Sequence, residues 1–167
     1  MKTFFHLITV PVFTLTLLLS PFVLKDSFAH GKEKHASAKS SVTYTNSIKP
    51  IFDKKCAKCH GKKSPEHMGF VKDVEKYTAK KIGPKMDSFS HLVSFVIWPD
   101  AGSLAKALDD GRNTEDGKPG KMYERLGKTE EERQKNLGIF KKWVGYWTMK
   151  AWSDITKDEI GRIKIAY

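Results

Sequence analysis

Cysteine is nearly missing from this chain: two in 167 residues, Cys56 and Cys59. A pair this close closes too small a loop for a disulfide to add much stability. No second pair exists, which excludes the common zinc site built from two such pairs. No strand pattern precedes the cysteines, so the β-α-β setting of a redox-active Cys-x-x-Cys is missing as well. Acidic residues are also scarce, 19 Asp and Glu against 30 Lys and Arg, for a net charge of +11. No internal repeat is present, which leaves a single domain with a modest core as the reading of the length.

The N-terminus has a marked pattern. Lys2 gives a short positive start, a largely apolar stretch runs from Phe4 to Leu24, and Ser27-Phe28-Ala29 follows with small residues at the two positions a signal peptidase reads. Residues 1–29 therefore read as a secretory signal peptide cleaved after Ala29. The alternative is an uncleaved membrane anchor, because the stretch approaches a bilayer span, although Pro11 and Pro21 interrupt it. Either way the remainder works outside the cytoplasm. Losing Lys2, Lys25 and Asp26 with the signal leaves 28 basic against 18 acidic residues, a net charge of +10. Such a charge suits acidic protein partners, anionic lipid or polyanions. Nucleic acid fits poorly, because the basic residues are spread along an exported chain, and most lysines read as a solvated face.

Residues 30–43, rich in Lys, Ser and Ala, read as a flexible leader, with His30 and His35 as solvated tail residues. The domain is expected over 44–167. Ile48, Ile51 and Phe52 share a helical face that runs into Cys56, and Pro50 is tolerated in a first helical turn. "MGFVKDVEKYTAKKIGPK" predicts a short helix ending before Gly83-Pro84. "DSFSHLVSFVIWPD" fits a helix capped by Asp87 or, through Val93 to Trp98, a strand. Leu104, Ala105 and Leu108 predict a short helix that stops at Gly111. Two capping boxes follow, Thr129 with Glu132 and Thr156 with Glu159. The first opens a helix with Leu137, Phe140 and Val144 inward and Trp143 and Trp147 alongside. The second is expected to bury Ile160, Ile163 and Tyr167. The fold class is all-α, with long loops.

"DKKCAKCHGKK" (53–63) adds a histidine directly after the second cysteine. Covalent haem attachment explains all three residues together. Two thiols add to the haem vinyl groups, and the following imidazole is positioned to bind iron. Cys56 and Cys59 are thus the expected thioether tethers of one haem c, and His60 the proximal iron ligand. A second haem would need a second motif.

On "IKPIFDKKCAKCHG" near the domain start, a methionine in a later loop and an aromatic-rich C-terminal helix, the sequence resembles the class I c-type cytochromes over most of residues 44–145. The c′ type carries its motif near the C-terminus and matches poorly. The resemblance implies a small helical fold wrapped around one haem with His and Met as axial ligands. Residues 61–100 depart from the short members and look like an insertion, read as a haem cover or a docking surface. Gly83-Pro84 looks like the family's loop whose proline carbonyl orients the proximal histidine.

For the sixth ligand, Met122 lies in a glycine-rich loop before a capped helix, similar to the family's ligand loop, and is favoured. Met149 in "MKAWSDITKDEI" is similar to the family's Met-Pro-Ala-Trp ending, with Lys150 in place of proline, and is the alternative. Met68 lies only eight residues past His60, which makes the opposite haem face difficult to reach. Histidine ligation by His67 or His91 is a minority reading, with His91 better explained as a partly buried, hydrogen-bonded residue. Most of the four tryptophans, Trp98, Trp143, Trp147 and Trp152, are expected to line the haem pocket and core.

With both axial positions filled, the expected function is a periplasmic one-electron carrier between respiratory redox proteins, not an enzyme, docking on acidic faces. Two alternatives stay open. One is a gas-binding or catalytic haem protein with an open sixth site. The other is a fixed electron-transfer subunit of a membrane complex, favoured if the N-terminal segment is retained.

Overall fold

The computed structural model describes residues 42–167. The expected signal peptide, 1–29, and the leader up to residue 41 lie outside the described residues. Among the described residues there are helices and loops and no strand. Among the described residues no helix is long and apolar enough to cross a membrane.

The domain opens on a capping box. Thr43 Oγ1 accepts the Asn46 N–H at 3.2 Å, and the Thr43 N–H donates to Asn46 Oδ1 at 2.9 Å. A π turn, Tyr44–Ile48, leads without a break into α1, Lys49–Lys55. Pro50 falls in the first turn of α1, where its missing N–H costs no bond. Ile48 and Phe52 are buried as the periodicity predicts, with Ile51 packed at the core edge.

α2, Ala57–His60, is a single turn carrying Cys59 and His60. The 68–85 segment holds two short helices where one was expected: α3, His67–Lys72, and α4, Val74–Ala79. Asp73 separates them at φ −148°, ψ 55°, outside helical backbone. Neither helix buries a residue completely, so no packing force holds them in line. Phe70 and Tyr77 stack across the break at 6.0 Å.

The ambiguous segment is a helix, α5, Phe89–Ser94, and the strand alternative is wrong. Ser88, not Asp87, is its cap, accepting the His91 N–H at 3.2 Å. Asp87 instead faces His91 Nδ1 at 3.1 Å. α6, Ser103–Leu108, buries Leu104, Ala105 and Leu108 and ends before Gly111. A 3₁₀ turn, Tyr123–Leu126, precedes α7, Glu130–Val144.

Thr129 caps α7 through the Glu132 N–H, but Glu132 does not return to the cap residue. Its carboxylate accepts from the Lys128 N–H at 2.7 Å and pairs with Lys55 at 2.5 Å. α7 carries Glu130 to Glu132 in its first turn and Lys141 and Lys142 in its last, the signs the helix dipole favours. Leu137, Phe140, Trp143 and Val144 are its buried stripe, packed against the π turn and the 3₁₀ turn. α8, Lys157–Gly161, has its capping box complete. The chain then returns: Tyr44 N and Trp143 Nε1 both donate to the Ala166 carbonyl at 2.8 Å.

The burial expected of Ile160, Ile163 and Tyr167 is not found: the two isoleucines are half-buried and Tyr167 is exposed. Trp98 is 62% exposed, Trp152 43% and Tyr167 73%. Tyr167 lays its ring edge against Phe89 without being covered itself. Trp143 is core, and Trp147 is half-buried.

Candidate functional site

α1 ends on Cys56, whose N–H donates to the Phe52 carbonyl at 2.8 Å. The Cys59 and His60 N–H groups both donate to the Cys56 carbonyl at 3.0 Å. One tight turn therefore brings both thiols and the imidazole together. The thiols are free and half-buried. Burial, with some help from the neighbouring Cys59, pushes the Cys56 thiol up to about 11. A redox-active or nucleophilic cysteine needs the opposite shift, which speaks against disulfide exchange at Cys56. Among the described residues no group of three or more His, Cys, Asp or Glu is placed to hold a metal ion.

The segment 83–86 then lies across this turn. Gly83 N donates to the Cys59 carbonyl at 2.8 Å, Met86 N to the His60 carbonyl at 2.9 Å, and Lys85 N to the Pro65 carbonyl at 2.8 Å. Ser64 Oγ adds a second bond to the Cys59 carbonyl at 2.9 Å. Residues 61–82 thus loop out and return to pin the motif from above. The return places the Pro84 carbonyl 2.8 Å from His60 Nδ1. A carbonyl can only accept, so Nδ1 carries the proton and Nε2 keeps its lone pair for a metal. Burial lowers the His60 pKa and the Pro84 bond only partly offsets it. The ring is neutral at neutral pH, as an iron ligand must be.

Gly83 makes this approach possible. A Cβ there would lie 2.1 Å from His60 Cε1 and 2.6 Å from Nδ1, inside any tolerable contact. Two free thiols, a neutral imidazole with an open Nε2 and a carbonyl that fixes its ring together fit a covalently attached haem. Gly-Pro was recognisable in the sequence; the contact between Gly83 and the ring was not, because the two are 23 positions apart.

The two candidate methionines lie elsewhere, both against α6. Met122 N donates to the Ala107 carbonyl at 2.8 Å, and the side chain is 38% exposed. Met149 lines an open hollow of about 570 Å³ with Lys106, Asn113, Thr114, Glu115 and Asp116. The histidines proposed as rival ligands are engaged with carboxylates. His91 faces Asp87 and Glu66, both at 3.1 Å, and His67 stands 3.6 Å from Asp100. Two of the tryptophan N–H groups are likewise committed, Trp143 to Ala166 and Trp147 to Asp109.

Comparison with known proteins agrees with this chemistry. A family model described as PccH cytochrome c matches residues 43–167. A solved structure described as "Structure of monoheme cytochrome PccH from Geobacter sulfurreducens" is 52% identical, covering 77% of this chain and 100% of that chain, with a TM-score of 0.72. No curated protein matches.

Proposed function

The chain belongs to the PccH cytochrome c family, a monohaem c-type cytochrome with one covalently bound haem c, and from that premise we propose that it is an exported one-electron carrier between respiratory redox proteins. In this reading Cys56 and Cys59 hold the haem, His60 is the proximal ligand, and Met122 is the distal ligand, with Met149 as the alternative. The haem iron, when bound, supplies the ferric–ferrous couple.

The observation that carries the proposal is the bond from His60 Nδ1 to the Pro84 carbonyl at 2.8 Å. It orients the ring, keeps Nε2 available and makes the imidazole a better donor. A carrier needs this rigidity, because an axial ligand that stays in place lets the electron move without rearrangement. A methionine on the opposite side would favour reduced iron and leave no place for substrate, which is why the proposed role is transfer and not catalysis.

Docking is proposed through the basic surface beside the motif. Lys58, Lys62 and Lys63 are exposed, and among the described residues no carboxylate pairs with them, whereas Lys55 and Lys85 are paired with Glu132 and Glu66. Unpaired lysines at such a place suit a weak, steered encounter with an acidic face. Export and a periplasmic location rest on the N-terminal pattern of the sequence.

The ligand assignment is tested by absorption spectra of oxidised holoprotein carrying Met122→Ala or Met149→Ala. Loss of the weak far-red band of sulfur bound to ferric iron in Met122→Ala alone is the expected result. Loss in Met149→Ala alone would move the ligand to Met149 and leave the carrier role intact.

A further inference from the structure

Asp109 follows α6 directly and is completely buried. Its Oδ1 accepts the Gly111 N–H at 2.9 Å and the Asn113 N–H at 3.1 Å. Its Oδ2 accepts Asn113 Nδ2 at 2.7 Å and Trp147 Nε1 at 2.9 Å. Lys141 Nζ stands 3.8 Å from the same oxygen, and 3.7 Å from Asp110 Oδ1. Asp110 is in turn held by Gln134 Nε2 at 3.0 Å and Arg112 Nε at 3.2 Å. Burial alone would raise the Asp109 pKa, but the donors from Asn113, Trp147 and Gly111 outweigh it and hold the carboxyl below its usual range. An anion at the C-terminal end of a helix gains nothing from the helix dipole. Its bonds to later parts of the chain are what keep it there.

The side-chain bonds reach the Trp147–Met149 segment and, at Gly111 and Asn113, the start of the loop that leads to Met122, while the end of that loop is held by main-chain bonds. Gly120 N donates to the Asp109 carbonyl and Met122 N to the Ala107 carbonyl, each at 2.8 Å, so the Met122 loop lies along the end of α6. Trp147, bonded to the carboxylate, is two residues before Met149. The Met149 peptide itself rests on the other end of α6. A Cβ at Gly102, which has φ +76°, would come 2.8 Å from Met149 C and 2.9 Å from its oxygen.

We propose that Asp109 is a positioning residue for the distal ligand: its carboxylate ties the start of the Met122 loop, at Gly111 and Asn113, and the Trp147–Met149 segment to the end of α6, so the hold of a methionine sulfur on its axial place depends on this carboxylate. The proposal holds whichever methionine is the ligand, and it rests on the reading that one of them is. Asparagine at 109 would turn an amide N–H₂ toward donors and lose at least one of the four bonds. Trp147→Phe removes one bond and leaves the carboxylate.

The test is titration of oxidised holoprotein with free imidazole, following the sulfur–iron band, in wild type, Asp109→Asn, Trp147→Phe and Trp143→Phe. Trp143→Phe removes an N–H bond to the Ala166 carbonyl on the C-terminal return, a contact that involves neither methionine segment, and so controls for general softening. Imidazole should displace the sulfur at a roughly tenfold lower concentration in Asp109→Asn, the size of one lost hydrogen bond to a buried charge. It should do so at a lower concentration in Trp147→Phe too, while Trp143→Phe lowers the melting temperature with the imidazole midpoint unchanged. If Asp109→Asn gives no holoprotein, Trp147→Phe decides by itself. A wild-type midpoint in the variants, or an equal shift in Trp143→Phe, overturns the proposal. A wild type without the band fails earlier, at the methionine reading, and takes the proposal with it.

Discussion

A methyl group added at Gly83 would lie 2.1 Å from His60 Cε1, so this one position controls the imidazole. Gly83→Ala has to push the ring or the loop aside, and overpacking of this kind costs about 1–3 kcal/mol. The expected outcome is a lower denaturant midpoint and a poorer yield of haem-loaded protein. Pro84→Ala keeps the carbonyl that accepts from Nδ1, and should keep most of the haem loading. Equal loading of Gly83→Ala and wild type would contradict this account. At this scale the motif was readable because three residue types stand at fixed spacing, and Gly-Pro because the family's loop is short and distinctive. Asp109 was not readable. An aspartate is exposed by default, and its Trp147 partner lies 38 positions away.

Among the elements, the caps and the C-terminal return carry the most testable weight. Thr156→Ala removes the cap of α8 and should cost ~1 kcal/mol, seen as a lower melting temperature. Glu159 in the same box accepts from Lys150 Nζ at 2.7 Å, the Thr156 N–H at 2.9 Å and the Tyr146 hydroxyl at 2.7 Å, which together hold its pKa at about 2. A carboxyl depressed on folding stabilises the protein above its unfolded value and loses that effect as pH falls. The window therefore runs from about 4.3 down to about 2. Across it the melting temperature of wild type should fall more steeply than that of Glu159→Gln. Parallel curves would show that the box adds no pH-dependent stability. Trp143 is completely buried in the core and closes the chain by donating to the Ala166 carbonyl. Trp143→Ala should cost about 3–5 kcal/mol in denaturant unfolding.

Helices with a buried stripe or a capping box were legible from their residues: α1, α6, α7 and α8. The break at Asp73 was not, because α3 and α4 bury nothing completely and periodicity has little to report there. The α5 segment read equally as strand, since its branched and aromatic residues suit either form; Ser88 as cap decided for helix. Tyr167 was placed inside on its position in the α8 pattern, a weak guide for a terminal residue beyond the helix.

For the molecule as a whole, the excess of 30 basic over 19 acidic residues and the unpaired Lys58, Lys62 and Lys63 predict a salt-sensitive encounter with an acidic redox partner. The second-order rate of electron exchange should fall roughly tenfold between low and physiological ionic strength. The triple variant Lys58→Ala, Lys62→Ala, Lys63→Ala should flatten that dependence while leaving the haem spectrum alone. A salt dependence unchanged in the variant would move docking to another face. The central claim is that both axial places are filled by the protein's own side chains. Its most direct test is the absorption spectrum of wild-type holoprotein, oxidised and then reduced under carbon monoxide. The account predicts the far-red sulfur–iron band in the oxidised form and no change on adding carbon monoxide to the reduced form. A missing band together with ready carbon monoxide binding would contradict it, and would make this chain a sensor or catalyst instead of a carrier.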